Sequence, residues 1–376
     1  MRTKGRVVVA MSGGVDSSVA AALLKEQGFE VVGITLRLLS TKRAVGGEER
    51  FGSCCSPRDI EDARMVASQL GIPHYVLNYE REFDRLVIEE FSAAYMRGRT
   101  PNPCVLCNGR VKFGSLLDRA LGLGAALVAT GHYAQVCRDG ATGRYLLRRA
   151  RDSKKDQTYF LYNLTQRQLG RIGFPLGEMT KEEVRERAAS LGLAVATKPD
   201  SQEICFVGGD YRTFLRERCG PTFSPGAIKN SAGQTVGRHQ GLALYTVGQR
   251  SGLGIAGDGP HYVVRMDAAA NEIVVGKADE LLCKEFVAEQ ANFVAWEHLA
   301  YERPARVMVR YRQVPALADL LPLPGGRLRV RWREPQRLPA PGQAAVFYDA
   351  SDPDLLLGGA TVASARSGRP APPKMA

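Results

Sequence analysis

The chain has 376 residues, 44% hydrophobic and 24% charged, the balance of a soluble globular protein with room for two or three domains. No stretch approaches the ~18 apolar residues of a membrane span, and the first strand opens by Arg6, which leaves no room for a signal or transit peptide and predicts a cytoplasmic protein. Net charge is +12, and residues 301–376 hold twelve Arg or Lys against six Asp or Glu, which predicts a polyanionic partner, nucleic acid above all.

The apolar run 7–10 predicts a buried strand. Ser12, Gly13 and Gly14 follow as a turn in which both glycines can take positive φ. Asp16, Ser17 and Ser18 open a helix with Val19, Ala20, Leu23 and Leu24 on its apolar face, and Gly28 ends it. Strand, glycine turn and helix N-terminus together make an anion site. It is not a Walker A loop, because no Gly-Lys-Ser/Thr follows the glycines.

Residues 29–36 predict a second strand and, with the first helix, a parallel sheet. A mobile polar loop is expected over 41–52. Ser56 caps a helix with Pro57 first and Asp59 three residues after the cap. Gly71 stops it, and 72–77 is a third strand. Residues 82–96 predict a helix. In 99–104 two prolines exclude helix and central strand, and Cys107 opens the next helix. Strand four is 127–130, with Gly131, His132 and Tyr133 at its C-terminal end, where open α/β sheets bind ligands.

Residues 145–149 predict a short strand, 152–157 a charged loop, and Tyr159, Phe160 and Tyr162 an aromatic cluster. Thr180 and Glu183 form a capping box for a helix that Gly192 ends. Near residue 208 glycines multiply and strands shorten. The predicted organisation is an α/β domain over 1–208, a small α+β domain over 209–280, a β-barrel over 281–363 and a disordered basic tail over 364–376. In 327–333 the alternation is strict, with Arg327, Arg329, Arg331 and Arg333 on one strand face and Leu328, Val330 and Trp332 on the other.

The eight cysteines stand at 54, 55, 104, 107, 137, 205, 219 and 283. They suit thiols, metal ligands or catalysts better than a disulfide framework. Cys104-x-x-Cys107 by itself fits half a zinc site, a redox pair or chance, and no second C-x-x-C completes a four-cysteine zinc site. A helix start and Lys112 nearby would both lower the Cys107 pKa. Cys137, Cys219 and Cys283 read as buried, inert thiols.

The loop Ser12-Gly-Gly-Val-Asp-Ser-Ser18 resembles that of the PP-loop ATP pyrophosphatases. Thr100-Pro-Asn-Pro with Cys107-Asn108, Ala129-Thr-Gly-His-Tyr133, Lys155-Asp-Gln157 with Tyr159-Phe-Leu-Tyr162, Ile204-Cys-Phe206, Gly248-Gln-Arg with Gly252-Leu-Gly254, Arg310-Tyr-Arg-Gln313 and Pro341-Gly-Gln343 then fall in one order. In that ordered set the chain resembles the bacterial tRNA-specific 2-thiouridylase family over nearly its whole length, the tail excepted.

The resemblance implies a parallel-sheet PP-loop domain of the adenine nucleotide alpha hydrolase type, a small α+β domain and a tRNA-contacting C-terminal barrel. It implies that ATP adenylates the 2-carbonyl oxygen of the wobble uridine in tRNA for Lys, Glu and Gln, and that sulfur then displaces AMP to leave 2-thiouridine. Adenylation turns a poor leaving group into a good one, and the attacking sulfur must be a polarizable anion. The ATP site maps to Ala10, Met11, Ser12, Gly13, Gly14, Val15, Asp16, Ser17, Leu36 and Gly131. That Asp16 would help hold Mg²⁺ is read from its carboxylate and not from the family. The nucleophile maps to Cys107 and the persulfide carrier to Cys205, a pair that would form a disulfide at rest. Asn102, Pro103 and Cys104 would line the flipped uridine. His132, Lys155, Asp156, Gln157, Tyr311, Arg312 and Gln343 fall where the family touches tRNA. The sulfur would come from a cysteine desulfurase, a sulfur-relay protein or sulfide.

One position departs from the family. Many members carry an acidic residue where this chain has Cys104. If Cys104, Cys107 and Cys205 converge, they would leave one iron of a cubane iron–sulfur cluster open to hydrosulfide. A persulfide scheme with Cys104 as bystander or resolving thiol is the alternative, and zinc a third. Two other functions compete. One is a PP-loop synthetase or amidotransferase that adenylates a small molecule, and the other a non-catalytic RNA-binding protein with a zinc half-site.

Overall fold

The computed structural model describes residues 4–39, 56–200, 204–220, 222–255 and 259–366. The loop predicted over 41–52, Cys54, Cys55, Glu203 and residues 367–376 of the predicted tail lie outside the described residues. The chain divides into two compact units. One comprises Met1–Glu89, Pro103–Asp210 and Asp354–Leu356, the other Glu90–Asn102, Tyr211–Pro353 and Leu357–Ala376.

The first unit is built on strands β1 (Arg6–Ala10), β2 (Glu30–Arg37), β3 (His74–Asn78) and β4 (Leu127–Thr130), a hairpin of β5 (Gln135–Arg138) and β6 (Tyr145–Arg148), and the two-residue β7 (Ile172–Gly173). Its central sheet is wholly parallel, in the order β3-β2-β1-β4-β7. Helix α1 (Val15–Glu26) links β1 to β2, and α2 (Pro57–Gln69) precedes β3. In a parallel sheet covered on both faces a central strand is apolar throughout rather than alternating. Val7, Val8 and Val9 are accordingly all buried, worth about 1.5–3 kcal/mol each. Val19 and Ala20 of α1 share a core with Val184 and Ala188 of helix Lys181–Ser190.

The strand order reverses between β1 and β4. Chains leaving their C-terminal ends turn to opposite sides, which opens the crevice where such sheets take ligands. Ala10 pairs with Thr130 at that edge, so residues 11–14 and 131–133 both emerge there.

Two expectations are corrected. The helix predicted over 82–96 starts two residues earlier, at Glu80, and passes through a π-helical stretch, Asp84–Ile88. The next helix begins at Pro103 rather than Cys107 and runs through the π-helical segment Cys107–Leu116 into Leu117–Gly122. Proline suits a first helical position, since its missing N–H would have no intrahelical acceptor there. Cys107 therefore lies one turn inside the helix.

In the second unit, helix Tyr211–Cys219 precedes a four-stranded sheet of Gly226–Asn230, Thr235–His239, Tyr262–Asp267 and Glu272–Gly276. Six antiparallel strands follow: Leu282–Phe293, Arg303–Met308, Ala316–Leu323, Arg327–Arg337, Ala344–Asp349 and Leu355–Ala365. The first pairs with both the fourth and the last, which closes the barrel. Along Arg327–Arg337 the arginines at 327, 329, 331 and 333 are exposed, and Leu328, Val330 and Trp332 are buried inside. The last strand extends to Ala365, beyond the predicted start of the tail. Among the described residues no helix is long and apolar enough to cross a membrane.

Candidate functional site

Residues 11–18 form a tight cradle at the end of β1. Gly13 has φ +72°, and a Cβ there would lie 2.0 Å from the Asp59 carbonyl oxygen, so glycine is required for both reasons. Gly14, expected to share the positive φ, is instead extended at φ −98°. The Ser17 and Ser18 hydroxyls donate to the Gly14 carbonyl at 3.2 and 2.9 Å, and the Ser12 amide donates to Ser17 Oγ at 3.1 Å. These bonds hold the loop against the first turn of α1, whose N–H groups have no intrahelical acceptor. A Cβ on Gly131 would come within 2.7 Å of the Ser17 nitrogen, so β4 meets the start of α1 by backbone approach. Leu36 lies buried in β2.

Two lysines reach this cradle. Lys198 Nζ donates to the Gly13 carbonyl at 2.9 Å, to Asp59 Oδ1 at 2.6 Å and to Asp62 Oδ2 at 2.5 Å. Burial works to lower the Lys198 pKa, but the two carboxylates prevail and raise it. Asp59 also completes the predicted capping box with Ser56. Lys181 is 5% exposed, and its Nζ lies 2.7 and 2.9 Å from the two Asp16 carboxylate oxygens and 2.7 Å from Asp200. The Tyr133 hydroxyl donates to Asp16 at 2.8 Å. Burial, reinforced by the Asp16 charge, raises the Tyr133 pKa and keeps that proton in place.

The segment 155–157 joins this network. Lys155 pairs with Asp200 at 2.7 Å, and Gln157 accepts the Tyr133 amide at 3.0 Å. Asp156 is buried, accepting from Thr158 Oγ1 at 2.8 Å and the Ala150 amide at 3.2 Å. Burial raises its pKa against those bonds. Sequence reasoning assigns all three residues to tRNA; here their side chains also bond within this unit, and that of Lys155 keeps 32% exposure. The His132 ring is enclosed by Phe113 and Phe174, each at 5.9 Å, while the residue keeps some exposed surface. Its Nδ1 lies 2.7 Å from Thr130 Oγ1. Burial, then the Lys112 charge, holds its pKa well below the ordinary value.

Cys107 is buried and Cys104 exposed on the helix that starts at Pro103. The π-helical turn is braced from outside. Asn163 donates to the Val105 carbonyl at 3.1 Å, and Gln168 to the Gly109 and Phe113 carbonyls at 3.1 and 2.6 Å. Asn108 donates to the Phe160 carbonyl at 3.1 Å. The expected activation of Cys107 by a helix start is corrected, since its turn is interior. Cys205 is partly exposed in a turn anchored by Phe206, whose ring meets Phe83 edge-on at 5.8 Å. The described cysteines are thiols, so the resting disulfide between Cys107 and Cys205 is not the state of this structure. Cys137, expected buried, is exposed. Burial raises the Cys219 pKa and pushes the Cys283 thiol up to about 12.

Neither a cluster on the three cysteines nor a Mg²⁺ ion held on Asp16 fits the residues as placed. Among the described residues no three His, Cys, Asp or Glu side chains are grouped to hold an ion, so Cys104, Cys107 and Cys205 are not gathered as cluster ligands. At Asp16, expected to help hold Mg²⁺, both oxygens face the Lys181 ammonium.

The second unit carries Asn102, Tyr311, Arg312 and Gln343. Arg312 takes φ +65° with its guanidinium 5.4 Å from the Tyr311 ring centre. Gln343 Oε1 accepts the Ala340 amide at 3.2 Å. Its turn packs on the segment before Asn102, where the Thr100 amide donates to the Pro341 carbonyl at 2.7 Å.

Lys181, Asp200, Lys198, Asp59, Asp62 and Tyr133 were missed as site residues. One signal was available for Lys181: a lysine in the first turn of a helix opposes the macrodipole. Family models match along the chain: the tRNA methyl transferase HUP domain at residues 5–209, the tRNA methyl transferase PRC-barrel domain at 212–277 and the aminomethyltransferase beta-barrel domain at 283–362. Proteins named tRNA-specific 2-thiouridylase MnmA are similar over nearly the full length. That of Geobacter metallireducens is 51% identical over 97% of this chain and 98% of its own. The Pelotomaculum thermopropionicum protein is 50% identical over 96% and 98%, and the Heliobacterium modesticaldum protein 49% over 96% and 92%.

Proposed function

The chain belongs to the tRNA-specific 2-thiouridylase family, and from that membership we propose the course of its reaction. It is an ATP-using tRNA-uridine 2-sulfurtransferase. The glycine cradle at the β1–β4 switch receives the triphosphate, with the amides of 13–17 as donors. The uridine 2-oxygen attacks the α-phosphorus and pyrophosphate leaves. A sulfur nucleophile then adds at C2, and AMP departs with the former carbonyl oxygen. Hydrosulfide gives the thiouridine directly. After attack by the outer sulfur of a Cys205 persulfide, the Cys107 thiolate instead attacks the Cys205 sulfur, which breaks the S–S bond, releases 2-thiouridine and leaves a Cys107–Cys205 disulfide.

Cys107 and Cys205 are the sulfur-handling residues in this reading. Nearly full-length identity of about one half supports it, as does the placement of Cys107 in a braced π-helical turn, a form frequent at functional sites. Asn102, Pro103 and Cys104 are assigned to the target base. His132, Lys155, Asp156, Gln157, Tyr311, Arg312 and Gln343 are assigned to tRNA contact, with Asp156 acting from inside its loop. The substrates are the Lys, Glu and Gln tRNAs, the compartment is the cytoplasm, and sulfur arrives from a desulfurase, a relay protein or sulfide. Mg²⁺ enters as the partner of ATP, and no step is assigned to an iron–sulfur cluster.

The test is nucleoside analysis of tRNA incubated with the protein, ATP and a sulfide source. The expected product is 2-thiouridine with one AMP per modified base. AMP and pyrophosphate formed at full rate without RNA would instead favour a small-molecule synthetase.

A further inference from the structure

Asp16 raises an electrostatic problem. A carboxylate in the first turn of α1 suits the helix dipole, but in an anion cradle it repels the triphosphate. Lys181 supplies the opposite charge. Its three donors face three carboxylate oxygens, two on Asp16 and one on Asp200, all within 2.9 Å. Asp200 is in turn paired with Lys155 at 2.7 Å and with Arg185 at 3.5 Å, so Lys181 is the cation that answers Asp16.

Lys181 also holds its place against two local penalties. It is nearly fully buried, where an ammonium is costly unless paired. It is the first residue of helix Lys181–Ser190, where the dipole disfavours a cation. Its backbone is fixed independently of the ammonium. Thr180 caps the helix, and the Lys181 amide donates to Asp152 Oδ2 at 3.0 Å.

We propose that Lys181 is a positioning residue for nucleotide binding. Its ammonium neutralises and immobilises the Asp16 carboxylate, so that the triphosphate meets the loop amides and not an uncompensated negative charge. This rests on the cradle being the ATP site. Lys181 thereby takes the role at Asp16 that sequence reasoning gave to magnesium. Removing the ammonium exposes the carboxylate, and removing both groups relieves the repulsion.

The experiment measures binding of a non-hydrolysable ATP analogue, with and without Mg²⁺, to the full-length protein and its variants. Lys181→Met should weaken binding at least tenfold. Adding Asp16→Asn should recover most of that loss, and Lys181→Arg should retain most of the affinity. Such a recovery is not expected of a lysine that contacts the nucleotide itself. Wild-type-like binding by Lys181→Met overturns the proposal, and so does an Asp16→Asn/Lys181→Met protein that binds no better than Lys181→Met. Should Lys181→Met not fold, the Asp16→Asn/Lys181→Gln pair buries no unmatched charge at these two positions. Absence of binding by that pair, folded and melting near wild type, also overturns it. A wild-type protein that binds tRNA but not the analogue defeats the ATP reading itself, which distinguishes that failure from this one.

Discussion

Gly13 is the residue on which the cradle depends most directly. Gly13→Ala combines a left-handed backbone with a Cβ driven into the Asp59 carbonyl. The expected effect is loss of ATP-dependent pyrophosphate release, with about 1–3 kcal/mol of destabilisation read from denaturant melts. The thiols divide by environment. Cys107→Ser and Cys205→Ser should each eliminate 2-thiouridine in nucleoside analysis. Cys219→Ser and Cys283→Ser should leave it, since partial burial raises the Cys219 pKa and burial pushes the Cys283 thiol up to about 12. His132 gives a pH signature. Its folded pKa lies below the ordinary value of 6.5, so its contribution to stability is complete above that value. As pH falls, the unfolded ring takes a proton that the enclosed ring refuses, and the contribution is lost. His132→Gln should therefore flatten the fall in melting temperature between about pH 7 and pH 5. Equal falls in variant and wild type would contradict a ring held neutral.

The π-helical turn Cys107–Leu116 is the element whose geometry is most exposed to single changes. Its altered hydrogen-bond spacing leaves carbonyls that the Gln168 amide answers at Gly109 and Phe113. Gln168→Leu leaves both without that donor and should destabilise the protein by about 1–3 kcal/mol, visible as a lower denaturant midpoint. The rate of 2-thiouridine formation should fall further than ATP affinity, because the turn carries Cys107 and not the phosphate cradle. Equal losses in the two would place the turn in the nucleotide site instead.

At the scale of the whole molecule the charge is uneven, and the last fifth of the chain carries half of the net +12. On the barrel, however, the arginine face of Arg327–Arg337 is partly answered by acids. Arg331 pairs with Glu302 at 2.7 Å, and Arg333 with Asp319 at 3.3 Å. Affinity for tRNA should fall steeply with added salt, since phosphate contacts release counterions. Arg312→Ala should weaken binding and reduce the salt slope by about one unit, with ATP affinity unchanged. A salt-independent affinity would refute the electrostatic account.

Local chemistry was legible in the chain itself. The buried β1 strand, the capping boxes at Ser56 and Thr180, the stops at Gly28, Gly71 and Gly192 and the two-faced strand at Arg327 each depend on residues a few positions apart, so their patterns survive in one dimension. The glycine cradle was legible for the same reason. Long-range packing decided the rest. Gly13 admits no side chain because the Asp59 carbonyl of α2 packs against it, a contact that the order of residues does not announce. The π-helical segment that follows Pro103 is braced by Asn163 and Gln168, more than fifty residues on, and no local pattern announces those partners. Lys181 and Asp200 reach Asp16 only once helix Lys181–Ser190 packs on α1, which is why a buried charge cluster at the centre of the site left so little trace in the order of residues.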